Sequence, residues 1–167
     1  YYLASEIVFG TDGSFTPEQF VERVNGDLAN NLGNLLNRSV SMIEKYFGGE
    51  IPAYEGAITQ FDEELEEKVV TTLKNYEELN DDLKVTQAYL EVMDLVGRAN
   101  KYIEESAPWV LAKDPSKEKE LKSCMCHLAN VLYVAGTLLS PILCTKAEKI
   151  FDQLGIPEEL RNYEPIK

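Results

Sequence analysis

Two side chains in one stretch of the sequence, the amide of Asn34 and the guanidinium of Arg38, have the types and the spacing needed to recognise another molecule by hydrogen bonding. In a helix, residues four apart lie on one face, one turn from each other. An amide both donates and accepts, whereas a guanidinium only donates, so together they suit the edges of nucleic-acid bases. The alternative is that the asparagines of this stretch bond buried backbone or neighbouring helices.

The same stretch is unusually rich in asparagine. Each asparagine inside a helix costs roughly 0.5 kcal/mol relative to alanine, so a merely solvated face would be better made from Glu, Lys or Ala. The five asparagines are Asn25, Asn30, Asn31, Asn34 and Asn37. The polar stripe that contains them runs through Asp27, Asn30 or Asn31, Asn34, Arg38, Ser41 and Lys45. This pattern indicates that the amides have a specific role in binding or in packing.

A third candidate is Trp109, the only tryptophan of the chain, in the segment "ESAPWVLAKD" at 104–113. Pro108 precedes it, and a proline disfavours the helical conformation of the residue before it. We therefore predict that Ala107 is extended, that the preceding helix ends there, and that Trp109 begins a new segment at one end of the fold. An indole in that position can stack on an unpaired base, which contributes about 1–3 kcal/mol. The alternative is a tryptophan that closes the core.

The segment "CMCH" places two thiols and an imidazole close together, at Cys124, Cys126 and His127. The spacing does not fit a zinc knuckle, and residues two apart on a helix point in different directions. We therefore predict no metal site, and side chains that lie in or near a helical core. With Cys144, the cysteines number three, and an odd count without framework spacing indicates a reducing compartment, which suits a cytoplasmic protein.

The elements that must position these residues are helices, because apolar residues recur with a helical period almost throughout. Thr16, Pro17 and Gln19 form a start signal, and Gly48 and Gly49 end the first helix. Asp114 with Pro115 can cap a fourth helix. Ser140 with Pro141 is predicted to start a fifth, which ends near Gly155. The apolar stripes of helices two to four are Phe61, Leu65, Val69, Leu73 and Tyr76; Tyr89, Val92, Val96, Ala99 and Ile103; and Leu121, Cys124, Leu128, Val131 or Leu132, and Ala135. The predicted fold is all-α, a helical bundle of about five helices with antiparallel neighbours.

The bulk properties set limits on function. The 167 residues suit one domain, and the net charge of -13 disfavours non-specific binding to nucleic acid or to an anionic membrane. The longest apolar run, "VLYVAGTLLSPILC", is 14 residues long and too short to cross a bilayer. The first residues show no basic leader before an apolar run, so no signal peptide is predicted. The absence of an initiator methionine suggests a fragment of a longer protein.

Several blocks of the sequence resemble one family. "DLANNLGNLLNR" (27–38) and "ANKYIEESAPWVLAKD" (99–114) are similar to the anticodon-binding domain of bacterial methionyl-tRNA synthetase. "YYLASEIVFGTDGSFT" resembles the segment that joins the catalytic part of that enzyme to its helical bundle, and "PILCTKAEKIFDQLGIP" resembles the end of the bundle. The resemblance covers nearly the whole chain, with the blocks in the expected order. The block with "NKYI" and "PW" is the more specific of the two.

The resemblance implies a role for each candidate. In that family the tryptophan stacks on an anticodon base while the helix asparagine and arginine contact anticodon bases, which assigns these roles to Trp109, Asn34 and Arg38. It also implies an excised part of methionine--tRNA ligase that recognises the CAU anticodon of tRNA(Met). The motifs of the catalytic part are missing, so the chain should be inactive alone and need no cofactor, since ATP and methionine would bind the missing part.

The resemblance also implies a division of the chain. A connector from the catalytic part would span residues 1–15, the anticodon-binding bundle 16–157 and a C-terminal extension 158–167. The partners would be the anticodon loop of tRNA(Met) and the catalytic domain of the parent enzyme, with no membrane. The alternative, favoured by the net charge, is an acidic helical protein-interaction module with no RNA ligand.

Overall fold

The computed structural model describes residues 1–8 and 10–166, and within these residues it contains helices and no strand. Phe9 and Lys167, which belong to the predicted connector and extension, lie outside the described residues. The elements are α1 (Tyr2–Glu6), α2 (Pro17–Arg23), a π-helix (Val24–Gly33), α3 (Asn34–Phe47), α4 (Gln60–Asp81), α5 (Val85–Ser106), α6 (Pro108–Leu111), α7 (Glu118–Leu143) and α8 (Thr145–Leu154). Short 3-10 turns lie at Pro115–Lys117, Glu158–Leu160 and Glu164–Ile166.

The predicted all-α class is confirmed. The segments α2, π-helix and α3 follow one another without a break and form the first predicted helix, and α4, α5, α7 and α8 are the other four. The predicted signals act at its two ends: Thr16 Oγ1 accepts a hydrogen bond from the backbone N–H of Gln19 at 3.2 Å, and Gly48 ends α3 in the left-handed conformation with φ 62°. Asp114 caps the 3-10 turn that leads into α7.

The fifth helix starts later than predicted, because α7 continues through Pro141. Pro141 lies inside the last turn of α7, which continues to Leu143 before Cys144 turns the chain with φ 38°. A proline inside a helix leaves the carbonyl four residues earlier without its usual donor. Here Ser140 Oγ donates to the carbonyl oxygen of Thr137 at 2.8 Å, which replaces that donor. The helix therefore tolerates the proline, and α8 begins at Thr145.

The long helices run alternately up and down. Helix α5 is antiparallel to α4 and parallel to the first long helix, and α7 is parallel to α4. For α4 and α5, the direction follows from the contacts of Asp62 with Tyr102 and of Lys68 with Asp94. For α4 and α7, it follows from the contacts of Asp62 with Ser123 and of Tyr76 with Leu138. For the first long helix and α5, it follows from the contacts of Asn31 with Asn100 and of Arg38 with Glu104. As a result, Arg38 in the N-terminal half of α3 lies beside the end of α5, where α6 begins.

Helix α7 is the centre of the core. It packs against α3, α4, α5, α6 and α8, and its fully buried side chains include Met125, Leu128, Leu132 and Leu139. The span Pro115–Leu143 is 29 residues long and contains an 18-residue window with a mean hydropathy of 1.5, enough by length and composition to cross a membrane. It is longer than the 14-residue apolar run because the helix extends further toward its N-terminus. The structure buries 61% of its apolar window, as expected for the core helix of a bundle.

Both ends of the chain pack on the bundle. Near the start, Thr86 Oγ1 on α5 donates to the carbonyl oxygen of Ile7 at 3.0 Å, and Tyr1 donates through its hydroxyl to Asp27 at 2.5 Å. Near the end, Tyr133 donates to the carbonyl oxygen of Leu160 at 2.6 Å. The predicted connector and extension therefore contact the helices. The boundaries at residues 15 and 157 remain predictions.

Candidate nucleic-acid interface

Arg38 lies in the second turn of α3 and reaches across to the end of α5. Its Nη2 donates to Glu104 Oε1 at 2.6 Å, and the exposed fractions of the two side chains are 28% and 60%. Glu104 belongs to the last turn of α5, five residues before Trp109. The ion pair thus holds the guanidinium at the end of the bundle where α6 begins. Sequence reasoning did not identify Glu104, since no local pattern connects residues 66 positions apart.

The asparagines of the first long helix divide into two kinds. Asn31 is half-buried, and Asn100 Nδ2 on α5 donates both to its side-chain Oδ1 at 2.8 Å and to its backbone oxygen at 3.1 Å. Asn31 therefore fits the alternative in which these amides bond a neighbouring helix. Asn34, in contrast, is exposed at the first position of α3, so its amide is available to a ligand.

Trp109 lies in the four-residue helix α6 and 39% of its surface is exposed. It belongs to the exposed large hydrophobic residues, which agrees with the prediction that the ring is presented at the end of the bundle. Its stacking on a base remains a prediction. The expected extended geometry of Ala107 is wrong: its φ is 44° and its ψ 59°.

The left-handed conformation of Ala107 has a physical reason. Pro108 disfavours the right-handed helical conformation at Ala107, as predicted. Extended geometry would carry the chain away from the bundle, whereas the left-handed conformation reverses it at once into α6. Two hydrogen bonds fix this turn, from the Ala107 N–H to the Ile103 oxygen at 3.0 Å and from the Val110 N–H to the Ala107 oxygen at 2.7 Å. For a residue with a Cβ, this conformation costs about 1–2 kcal/mol.

A buried carboxylate on α4 holds the last turns of α5 by a hydrogen bond. Asp62 is 2% exposed and accepts hydrogen bonds from Tyr102 at 2.5 Å and Ser123 at 2.8 Å, and from two backbone N–H groups at the start of α4. Burial opposes ionisation of Asp62, yet the hydrogen bonds from Tyr102, Ile58 and Ser123 hold the pKa of its carboxyl below its usual value. Asp62 thus joins α4 to α5 and α7, and its partner on α5, Tyr102, lies two residues before Glu104.

The predicted side-chain directions of the "CMCH" segment agree with the structure. Cys124 is buried, and burial raises the pKa of its thiol to about 12. His127 uses both ring nitrogens, Nδ1 with the Ser123 carbonyl oxygen at 2.7 Å and Nε2 with Glu66 Oε1 at 2.8 Å. Within residues 1–8 and 10–166, no group of three or more His, Cys, Asp or Glu side chains is arranged to hold a metal ion. The metal content itself remains a prediction.

Comparison with known proteins identifies the class to which this bundle belongs. Residues 51–164 match the family described as the anticodon binding domain of methionyl tRNA ligase, and residues 1–40 match the family described as tRNA synthetases class I (M). The class is therefore that of the helical anticodon-binding domains of tRNA ligases. Within it, this chain belongs to the family of methionyl-tRNA ligase anticodon-binding domains. Trp109 falls in the first match, and Asn34 and Arg38 fall in the second.

Individual relatives agree with this family assignment. The chain is 54% identical over 159 residues to methionine--tRNA ligase of Bacillus subtilis, which covers 95% of this chain and 24% of the relative. It is 52% identical over 167 residues to that of Listeria monocytogenes, which covers 99% and 25%. A solved structure of Mycobacterium tuberculosis methionyl-tRNA synthetase bound by methionyl-adenylate superposes with a TM-score of 0.93 at 32% identity, over 99% of this chain and 33% of that one. The chain spans about a quarter of the length of the curated relatives.

Proposed function

We propose that this chain recognises the CAU anticodon of tRNA(Met) as part of a methionine--tRNA ligase, with Trp109, Asn34 and Arg38 as the contacting residues. The observation that carries the proposal is the family match of residues 51–164, which include Trp109. The exposure of the indole and of the Asn34 amide supports the assignment.

Recognition would follow the physics of single-stranded RNA. Bases of a loop can be splayed out, stacked on aromatic rings and recognised at their edges. Trp109 supplies a flat surface at the end of the bundle. The amide of Asn34 can donate to one base atom and accept from another, so a wrong base leaves one partner unpaired. An unpaired donor or acceptor costs about 1–3 kcal/mol, which is enough for useful discrimination.

Arg38 would exchange Glu104 for an acceptor of the RNA. Its pair with Glu104 is substantially exposed, and ion pairs in such positions contribute roughly 0–1 kcal/mol. A base acceptor or a phosphate oxygen of the RNA can therefore replace Glu104 at little cost. The same ion pair keeps the guanidinium at the end of α5 before the RNA arrives, which limits the side-chain freedom lost on binding.

The remaining parts of the proposal concern the whole enzyme. ATP and methionine would bind the catalytic part, which would be the second partner of this chain, and the anticodon loop would be the first. A translation enzyme of this kind would act in the cytoplasm. The chain itself would supply recognition and require no cofactor.

The test is a titration of this chain with an RNA stem-loop carrying CAU and with a stem-loop changed at one anticodon base. Because Trp109 is the only tryptophan, its fluorescence reports stacking directly. Asn34→Ala should reduce the preference for CAU, and Arg38→Ala should weaken binding with a shallower salt dependence if the contact is to phosphate.

The controls are an exposed asparagine and a paired arginine elsewhere. Asn25→Ala changes an exposed asparagine of the π-helix, and Arg161→Ala removes a guanidinium that pairs with Glu148 at 2.8 Å on α8. Both should bind both RNAs like the wild type. Equal binding of the two stem-loops by the wild type, or no binding at all, would refute the proposal and leave the acidic protein-interaction module as the better hypothesis.

A further inference from the structure

The helix that carries Asn34 and Arg38 is not a regular α-helix over its whole length. Residues Val24–Gly33 form a π-helix of ten residues, with backbone bonding to the residue five positions earlier. At its end, the Asn34 N–H points to the carbonyl oxygens of Ala29 and Asn31. Because a π turn contains more residues than an α turn, this segment changes the direction in which every later side chain points. The rotation of Asn34 and Arg38 about the helix axis therefore depends on it.

Gly33 permits the last turn of this π-helix. A Cβ added at Gly33 would lie 2.9 Å from the carbonyl oxygen of Leu28, a backbone atom five residues earlier. A contact of that length forces the backbone to shift, and the oxygen cannot move away as a flexible side chain could. Gly26, in the same π-helix, has no atom within 4 Å of such a Cβ. The requirement for glycine is thus specific to position 33, directly before Asn34.

A polar clamp holds the same turn against α5. Asn100 Nδ2 bonds Asn31 Oδ1 at 2.8 Å and the Asn31 backbone oxygen at 3.1 Å, and Asn31 Nδ2 has a longer contact of 3.5 Å to the Met93 oxygen. The backbone oxygen of Asn31 is also an acceptor for the backbone N–H of Asn34. The clamp therefore acts on the Asn31 backbone oxygen, which is hydrogen-bonded to the N–H of Asn34.

We infer that the π-helical turn is a positioning device, in which Gly33 permits the turn and Asn31 with Asn100 hold it on α5, so that Asn34 and Arg38 face the RNA. This inference rests on the proposed function of Asn34 and Arg38. None of the three positioning residues needs to touch RNA. Their effect passes through the direction of α3, and it leaves Trp109 on α6 unchanged.

The test combines Gly33→Ala, with Gly26→Ala as its matched control, and the same CAU and altered stem-loops. Gly33→Ala should weaken CAU binding about tenfold, which corresponds to about 1.4 kcal/mol, and reduce the preference for CAU. Quenching of Trp109 at saturating RNA should persist, because α6 keeps its place. Gly26→Ala should bind like the wild type. A purely structural glycine would lower the melting temperature while the folded protein kept its preference.

A second pair of variants keeps the test decisive if Gly33→Ala fails to fold. Asn31→Leu removes the side-chain acceptor of Asn100 and leaves only the backbone oxygen, whereas Asn31→Asp retains a side-chain acceptor oxygen at the same place. Asn31→Leu should lose preference for CAU, and Asn31→Asp should restore most of it. Equal behaviour of the two variants would overturn the role of the clamp.

A double-mutant comparison separates this inference from the proposed function. In a chain that already carries Asn34→Ala and Arg38→Ala, Gly33→Ala should cause no further loss of RNA affinity, because it acts through those residues. A further tenfold loss in that background would overturn the inference. If Asn34→Ala and Arg38→Ala themselves left binding unchanged, the proposed function would fail instead.

Discussion

Replacement of Trp109 by alanine should separate RNA binding from folding. The indole is 39% exposed, so truncation removes packing from only part of the ring. A fully buried aromatic residue truncated to alanine costs about 3–5 kcal/mol of stability, and Trp109→Ala should cost clearly less. Loss of one stacked base should cost about 1–3 kcal/mol of binding, which is roughly a 5- to 150-fold weaker affinity. The expected variant is therefore folded at 25 °C and defective in binding.

The assay pairs thermal unfolding with a stem-loop titration monitored by RNA fluorescence, since the variant has no tryptophan. Phe151→Ala is the matched control, because this aromatic side chain is fully buried on α8. It should show the opposite result, a large loss of stability with normal affinity of the folded fraction. If Trp109→Ala unfolded as easily as Phe151→Ala and its folded fraction bound the CAU stem-loop normally, the ring would be core filling and not a binding surface.

Three further predictions concern chemistry and stability. The chain alone should show no methionine-dependent ATP–pyrophosphate exchange, and reproducible exchange by purified protein would contradict the assignment of catalysis to another part of the enzyme. Elemental analysis should find no stoichiometric zinc at Cys124, Cys126 and His127, so about one zinc per chain would be the contrary result. Because the pKa of Asp62 is lowered in the folded state, its carboxylate stabilises the fold above its unfolded pKa, and this contribution is lost as the pH falls through the folded value. Denaturation across acidic pH should therefore show a flatter pH dependence for Asp62→Asn, together with a loss of about 1–3 kcal/mol at pH 7.

The sequence predicted the helices well where apolar spacing was regular, as in α5, whose stripe from Tyr89 to Ile103 is entirely buried. It also predicted the exposure of Trp109. The start of α8 was wrong because a proline signal was outweighed by the hydroxyl of Ser140, a compensation that no propensity scale contains. The conformation of Ala107 was wrong because a tertiary reversal outweighed the usual preference of a residue before proline.

The π-helix was missed because the apolar spacing does not distinguish it from an α-helix. Val24, Leu28 and Leu32 are spaced by four, and so are Phe61, Leu65, Val69 and Leu73 of the α-helix α4. The contacts of Arg38 with Glu104 and of Asp62 with Tyr102 join residues 66 and 40 positions apart. Such pairs depend on how the helices are arranged in space, which local patterns do not determine.

The central place of α7 has a consequence for how the chain folds during synthesis. The inner faces of α3, α4 and α5 are covered by α7, which begins only at Glu118. Until the ribosome has released that helix, the first two thirds of the nascent chain lack the surface against which their apolar stripes pack. Folding of this domain must therefore wait for its C-terminal third. A chain terminated before α7 would expose apolar surface, be prone to aggregation and be a target for chaperones and proteases.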